Sequence, residues 1–155
     1  MISAAKLSLT VFTMDPKEFN RHPTTTVNGT SLPLVRKPEL LGVRFDPLFT
    51  FAGHAREVAG KVSCCTKVLV GTSWGCAKET LATTFKVLVK SHLTYAAPIW
   101  SPTINSSSLR RLQSALNAAL RSITGWYKML PIDHLHAQAS VLPIGPHNAL
   151  LGQQF

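Results

Sequence analysis

Acidic residues are scarce in this chain. Seven Asp and Glu stand against 16 Lys and Arg in 155 residues, a formal net charge of +9 with a pI near 10.0. That imbalance points to an anionic partner, nucleic acid first and a membrane surface second. The scarcity is uneven: residues 1–60 hold five acids against seven bases, whereas residues 61–155 hold two against nine. Cysteine is scarce too. Cys64 and Cys65 are adjacent and Cys76 is left over, which excludes a disulfide framework, fits a reducing compartment and leaves small core hydrophobes as the expected role. No uninterrupted apolar run reaches membrane-spanning length, and the opening MISAAKLSLTVF is too short and too polar for a secretory signal. An intracellular chain, nuclear or cytoplasmic, is therefore expected, not secreted and with no membrane partner. The glycosylation patterns at Asn28-Gly29-Thr30 and Asn105-Ser106-Ser107 are then expected to stay unused. A glycine-rich phosphate loop, a nucleophile elbow and paired finger-spaced ligands are all missing, so kinase, hydrolase and zinc-finger readings have no support. His134 and His136 beside Asp133 do not change this, because residues two apart on a helix do not share a face. No metal site is expected there, and Asp133 is expected to cap a helix start.

What is present centres on Gly71–Gly125. Leu81, Phe85, Leu88, His92 and Tyr95 recur at steps of four and three, the spacing that lines one face of a helix. Ser73 or Thr72 suits its cap. Pro98 and Pro102 around Ile99 and Trp100 then make an elbow, since proline removes backbone donors and biases its predecessor away from helix. After the polar run Asn105–Ser108, a second stripe of Leu109, Leu112, Leu116, Leu120 and Ile123 predicts a longer helix, and Gly125 suits its exit. Trp74, Trp100 and Trp126 fall at segment junctions, where packing is their expected use.

The first part of the chain reads as β. Residues 7–12 alternate like a half-buried strand, Asn28-Gly29 marks a tight turn between extended flanks, and residues 40–46 place Leu41, Val43 and Phe45 on one face of a strand with Gly42 and Arg44 on the other. From Phe51 the period turns helical, through Ala55, Val58, Ala59, Val62 and Cys65 or Thr66 to Leu69, with a break at Gly71. Pro131 is expected to start one further short helix and LPIGPHNALLGQQF to contain another. Strands first and helices afterwards predict an α+β chain: short N-terminal antiparallel strands followed by a mainly α-helical bundle, divided as 1–50 and 51–155. So few short strands leave open edges, from which further chain upstream of Met1 is expected.

Several landmarks occur together in a fixed order. They are Lys6 followed by VFTMDPKEFN; Leu41-Gly42-Val43 with Asp46; Phe51 and His54; Gly71–Gly75 with Lys78–Leu81; and Tyr95–Pro102. After these come Leu112-Gln113, Asn117 with Ala119-Leu120-Arg121, Thr124-Gly125, and Asp133–His136 with Leu142-Pro143. In this order the chain resembles the C-terminal end of the reverse transcriptase of non-LTR (LINE-like) retrotransposons, over nearly its whole length. The resemblance implies a palm remnant followed by a thumb-like region. It implies a hairpin at Leu41, Gly42 and Val43 that steadies a primer end, and helices that lie along a template–primer duplex. On that basis Lys78, Lys86 and Lys90 of the first helix, with Arg110, Arg111 and Arg121 of the second, are expected to touch the phosphates of an RNA–DNA or DNA duplex. Arg110, Ser114, Asn117 and Arg121 would form a polar strip opposite the leucines, giving salt-dependent binding without sequence choice.

Polymerase chemistry needs aspartates converging on two metal ions. Asp15, Asp46 and Asp133 lie in different segments, and no Tyr-x-Asp-Asp occurs. Lys6, where some polymerases have a proton donor, is followed by Leu7 rather than the family's frequent serine. The expectation is a non-catalytic reverse-transcriptase fragment with no catalytic residue and no cofactor of its own, magnesium being a need of the missing upstream half. Its partners would be nucleic acid, that upstream half, and further copies of itself through uncovered apolar surface. The competing expectation is a helical protein-interaction module that presents exposed leucine stripes and has no nucleic-acid role.

Overall fold

A computed structural model describes residues 6–18, 20–72, 76–127 and 129–154. Two short antiparallel strand pairs precede a series of helices, so the chain is α+β. It divides into two compact units, Met1–His54 and Ala55–Phe155, and the division falls inside α1 (Ala52–Thr72).

In the first unit β1 (Thr26–Val27) pairs with β2 (Thr30–Ser31), and β3 (Glu39–Leu40) with β4 (Val43–Arg44). Both connections are two-residue turns with positive φ throughout: Asn28 at 51° with Gly29 at 77°, and Leu41 at 49° with Gly42 at 77°. This geometry matches the right-handed twist of a hairpin. The expected single strand over residues 40–46 is therefore two strands and a turn. Alternation placed Leu41 and Val43 on one face, but the turn leaves Leu41 81% exposed while Val43 is buried. Residues 7–12 do not form a strand either. They contribute one parallel bridge, Leu9 to Leu34, with Leu9 N–H donating to Pro33 O at 2.9 Å and Val35 N–H to Leu9 O at 2.8 Å. Pro33 has no N–H to extend that ladder. The unit is held by aromatic rings instead: Phe12 stacks on Phe49 with centroids 4.7 Å apart, and Phe45 meets Phe51 edge-on at 5.4 Å. Asp46 fixes the turn that carries these rings. Its carboxylate accepts from Thr50 N–H at 2.7 Å, from Phe51 N–H at 3.3 Å and from the Thr50 hydroxyl. Phe49 and Phe51 sit at φ 52° and 48°, a region costly for bulky side chains. The ring cluster and the Asp46 bonds offset that cost.

In the second unit α1 buries Val58, Ala59, Val62 and Leu69, as its helical period predicts. Cys64 and Cys76 are exposed free thiols and Cys65 is half-buried, so the expected core role fails. Cys64 lies off the buried stripe, and Cys76 lies outside the helices. The next helix, α2 (Lys78–Phe85), begins after Ala77 with no side-chain cap. Thr72 ends α1, and Ser73 and Trp74 lie outside the described residues. α2 then runs into a π-helical turn, Lys86–Lys90, before α3 (Ser91–Thr94). A π turn takes one residue more than an α turn. The buried stripe accordingly continues from Leu81 and Phe85 to Val89, Leu93 and Ala97, while the expected Leu88 and His92 are half-buried and Tyr95 is 55% exposed.

The elbow exists as a short helix, α4 (Ala97–Trp100), entered through Ala96 at φ 50° with Pro98 in its first turn. Trp100 is fully buried, and its indole N–H donates to Tyr95 O at 3.0 Å. Asn105 caps α5 (Ser106–Thr124) by accepting from Ser108 N–H at 2.8 Å, and Gly125 leaves it at φ 70°. α5 packs against α2, α6 (Ile132–Ala139) and α7 (Ile144–Gly152), and α4 packs against α7. Leu112, Leu116 and Leu120 are consumed in this packing. Asp133 does not cap α6: the cap position is Pro131, and no side chain bonds there.

Candidate functional site

Two helices of the second unit line an open groove of about 750 Å³. From α1 come Arg56, Ala59, Gly60 and Ser63, spaced i, i+3, i+4 and i+7 and so on one helical face. From α5 come Ser107, Arg110, Arg111, Ser114, Ala115 and Ala118, again one face, opposite the leucine stripe. The small side chains make a recess, and the three arginines stand around it exposed. None of the lining residues is acidic. Among the described residues no ion pair engages Arg56, Arg110 or Arg111, and Arg110 turns only its Nε–H back to Ser106 O at 3.4 Å. The nearby acid of α1, Glu57, is paired with Lys61 at 3.0 Å. Three guanidiniums with planar donor forks and no counter-charge of their own suit phosphate oxygens. No aromatic ring lines the groove, so it offers charge and hydroxyls but no surface for base stacking.

No protein-family model, curated protein or solved structure matches the chain.

The cations expected from sequence fall into separate places. Arg110 and Arg111 line the groove. Arg121 is half-buried further along α5 and does not line it; Lys78 and Lys86 are exposed on α2 and the π turn. The expected strip has Arg110 and Ser114 exposed and Arg121 half-buried, but it is interrupted at Asn117, which is 6% exposed. Asn117 joins a buried polar cluster with Gln113 of the same helix and His136 of α6. Gln113 Nε2 lies 2.8 Å from Asn117 Oδ1 and 2.9 Å from His136 Nε2, while Gln113 Oε1 accepts from Ile144 N–H at 2.9 Å. His136 Nδ1 lies 2.8 Å from Val141 O. His136 is thus engaged at both ring nitrogens and His134 is exposed. Among the described residues no group of three His, Cys, Asp or Glu is placed to hold a metal. Leu41, Gly42 and Val43 form the tip and first return residue of the β3–β4 hairpin in the other unit.

Lys90 is half-buried and acts on His147 of α7. Burial first, and the Lys90 charge second, push the His147 pKa below its ordinary value of 6.5. Above about pH 6.5 the ring is neutral both folded and unfolded and contributes no pH dependence. Below it the unfolded chain takes up a proton that the folded chain resists, so stability falls until the lowered folded value is passed. Lys90→Gln is expected to raise the His147 titration midpoint and make that decline shallower. Ring-proton NMR across pH 4–8 checks this, and an unmoved midpoint would refute the coupling.

Arg56 was missed by the sequence reading. Its signal was there, since Arg56-x-x-Ala-Gly-x-x-Ser repeats the α5 arrangement of Ser107-x-x-Arg-Arg-x-x-Ser, but only adjacency of α1 and α5 gives the pattern meaning. No helix among the described residues is long and apolar enough to cross a membrane.

Proposed function

We propose that the helical unit binds nucleic acid through its phosphates without sequence choice, as a relative of the thumb-like region of non-LTR reverse transcriptases with no polymerase activity of its own. The observation that carries this reading is the α1–α5 groove, with Arg56, Arg110 and Arg111 around it and no lining carboxylate. The ordered landmarks from Lys6 to Pro143 and the basic surplus of residues 61–155 support it. Contacts of this kind release counterions, so affinity falls with salt by a slope of about 0.9 per phosphate neutralised on a duplex. The expected result is binding to an RNA–DNA hybrid at low salt, similar for unrelated sequences and weakening steeply as salt rises. The double substitution Arg110→Glu, Arg111→Glu should abolish it. Failure to bind at micromolar protein, or binding indifferent to salt, would end this reading.

A protein-contact role has less to draw on. Leu112, Leu116 and Leu120 are buried, and the apolar recess of about 620 Å³ lined by Thr94, Ala96, Pro98, Ile99 and Leu151 lies away from that stripe.

A further inference from the structure

We infer that the α1–α5 groove takes one single strand of nucleic acid, held by its sugar-phosphate backbone, with Arg56 as the phosphate ligand on the α1 side; this rests on the backbone-binding reading above. The groove has basic residues on both walls, Arg56 from α1 and Arg110 and Arg111 from α5. A duplex is broader than an α-helix and would meet a groove between two helices at its rim. A single strand can descend between the walls and meet guanidiniums on either side of one backbone. The floor permits that approach. A Cβ placed at Gly60 would have no neighbour within 4 Å, so the space above Gly60 is open, and the short side chains of Ala59, Ala115 and Ala118 keep the rest of the floor clear. Ser114 adds a hydroxyl that can donate to a phosphate oxygen, while the hydroxyls of Ser63 and Ser107 donate to Ala59 O and Asn105 Oδ1, each at 2.8 Å. With no ring to stack on, the bases face outward and base identity is not read.

Two substitutions test this without disturbing the fold. Gly60→Leu fills the open space while leaving every arginine in place, and leucine is a better helix former than glycine. Arg56→Ala removes one exposed charge. The ligands are single-stranded oligothymidine and oligouridine of about twelve nucleotides, within the span that single-strand binders cover, and an RNA–DNA hybrid of the same length. Binding is measured by fluorescence anisotropy at several salt concentrations, with circular dichroism confirming each variant is folded. Gly60→Leu is expected to weaken both single strands about tenfold or more and the hybrid by less than about twofold. Arg56→Ala should lower the single-strand salt slope by about 0.7. If the hybrid binds but Gly60→Leu leaves single-strand affinity unchanged, the groove assignment is wrong and the backbone-binding reading stands. If neither nucleic acid binds, both fall. Binding to phosphatidylserine vesicles with no binding to the oligonucleotides would also overturn the assignment, in favour of a membrane surface.

Discussion

Trp100→Ala is expected to destabilise the helical unit by about 3–5 kcal/mol, the usual range for emptying a buried aromatic site. The residue is fully buried in α4, the short helix between the two long helical runs, and its neighbours cannot close over a vacated indole without moving the elbow. The substitution also removes the N–H that donates to Tyr95 O at 3.0 Å, a bond across the point where the chain reverses through Ala96 at φ 50°. Trp100→Phe separates the two effects. It keeps most of the packing and loses the donor, so a loss of about 1–2 kcal/mol is expected. Urea unfolding followed by circular dichroism gives both values. If Trp100→Ala cost no more than Trp100→Phe, the indole would not be the anchor of the elbow.

Gln113→Ala should be nearly as damaging, although a polar residue on a helix looks replaceable from sequence. Its side-chain oxygen accepts from the N–H of Ile144 at the start of α7, and its amide nitrogen serves both Asn117 Oδ1 and His136 Nε2. Because a carbonyl can only accept, the bond to Val141 O places a proton on His136 Nδ1, while His136 Nε2 lies 2.9 Å from both Gln113 Nε2 and Asn117 Oδ1. One side chain therefore satisfies groups on three helices. Without it the Ile144 N–H, the Asn117 oxygen and the His136 nitrogen lose a partner in a buried setting, each loss costing about 1–3 kcal/mol unless water enters. A total of about 3–5 kcal/mol is expected. Gln113→Met, which keeps the volume, should recover little of it. Hydrogen exchange locates the effect: protection should fall in residues 132–152 before the middle of α5. A double-mutant cycle of Gln113→Met with His136→Leu should return a coupling of about 1–3 kcal/mol, and additive losses would mean the cluster is not a unit.

The parts of this fold that sequence discloses are those set by one segment alone. The leucine stripe of α5, its Asn105 cap and its Gly125 exit depend on spacing and local chemistry, and the helix ends where those residues place it. The same is true of Asn28-Gly29. Where two segments decide together, periodicity misleads. Leu41 looked like an inward strand residue because the left-handed pair Leu41-Gly42 reverses the chain inside what reads as one alternating run. Asn117 looked like a surface residue because its partners, Gln113 and His136, supply on the inside what water supplies outside. The groove was half legible. Arg110 and Arg111 were singled out for their charge, but Arg56, 54 positions before Arg110, acquires its place only because α5 lines the same groove as α1. Lys78, Lys86, Lys90 and Arg121 share the charge and not the location.

The π turn at Lys86–Lys90 has a consequence for what lies beyond it. Each residue in an α-helix advances the chain by about 100° around the axis, so the extra residue sets the azimuth from which Ser91–Thr94 and the elbow depart. Without it, the same sequence would continue in an ordinary spiral with Leu88, His92 and Tyr95 turned inward, and Trp100 would swing away from the cavity that now encloses it. The widened turn works as a phase adjustment between two helices of fixed sequence. It makes the seat of Trp100 a property of a segment some ten residues earlier.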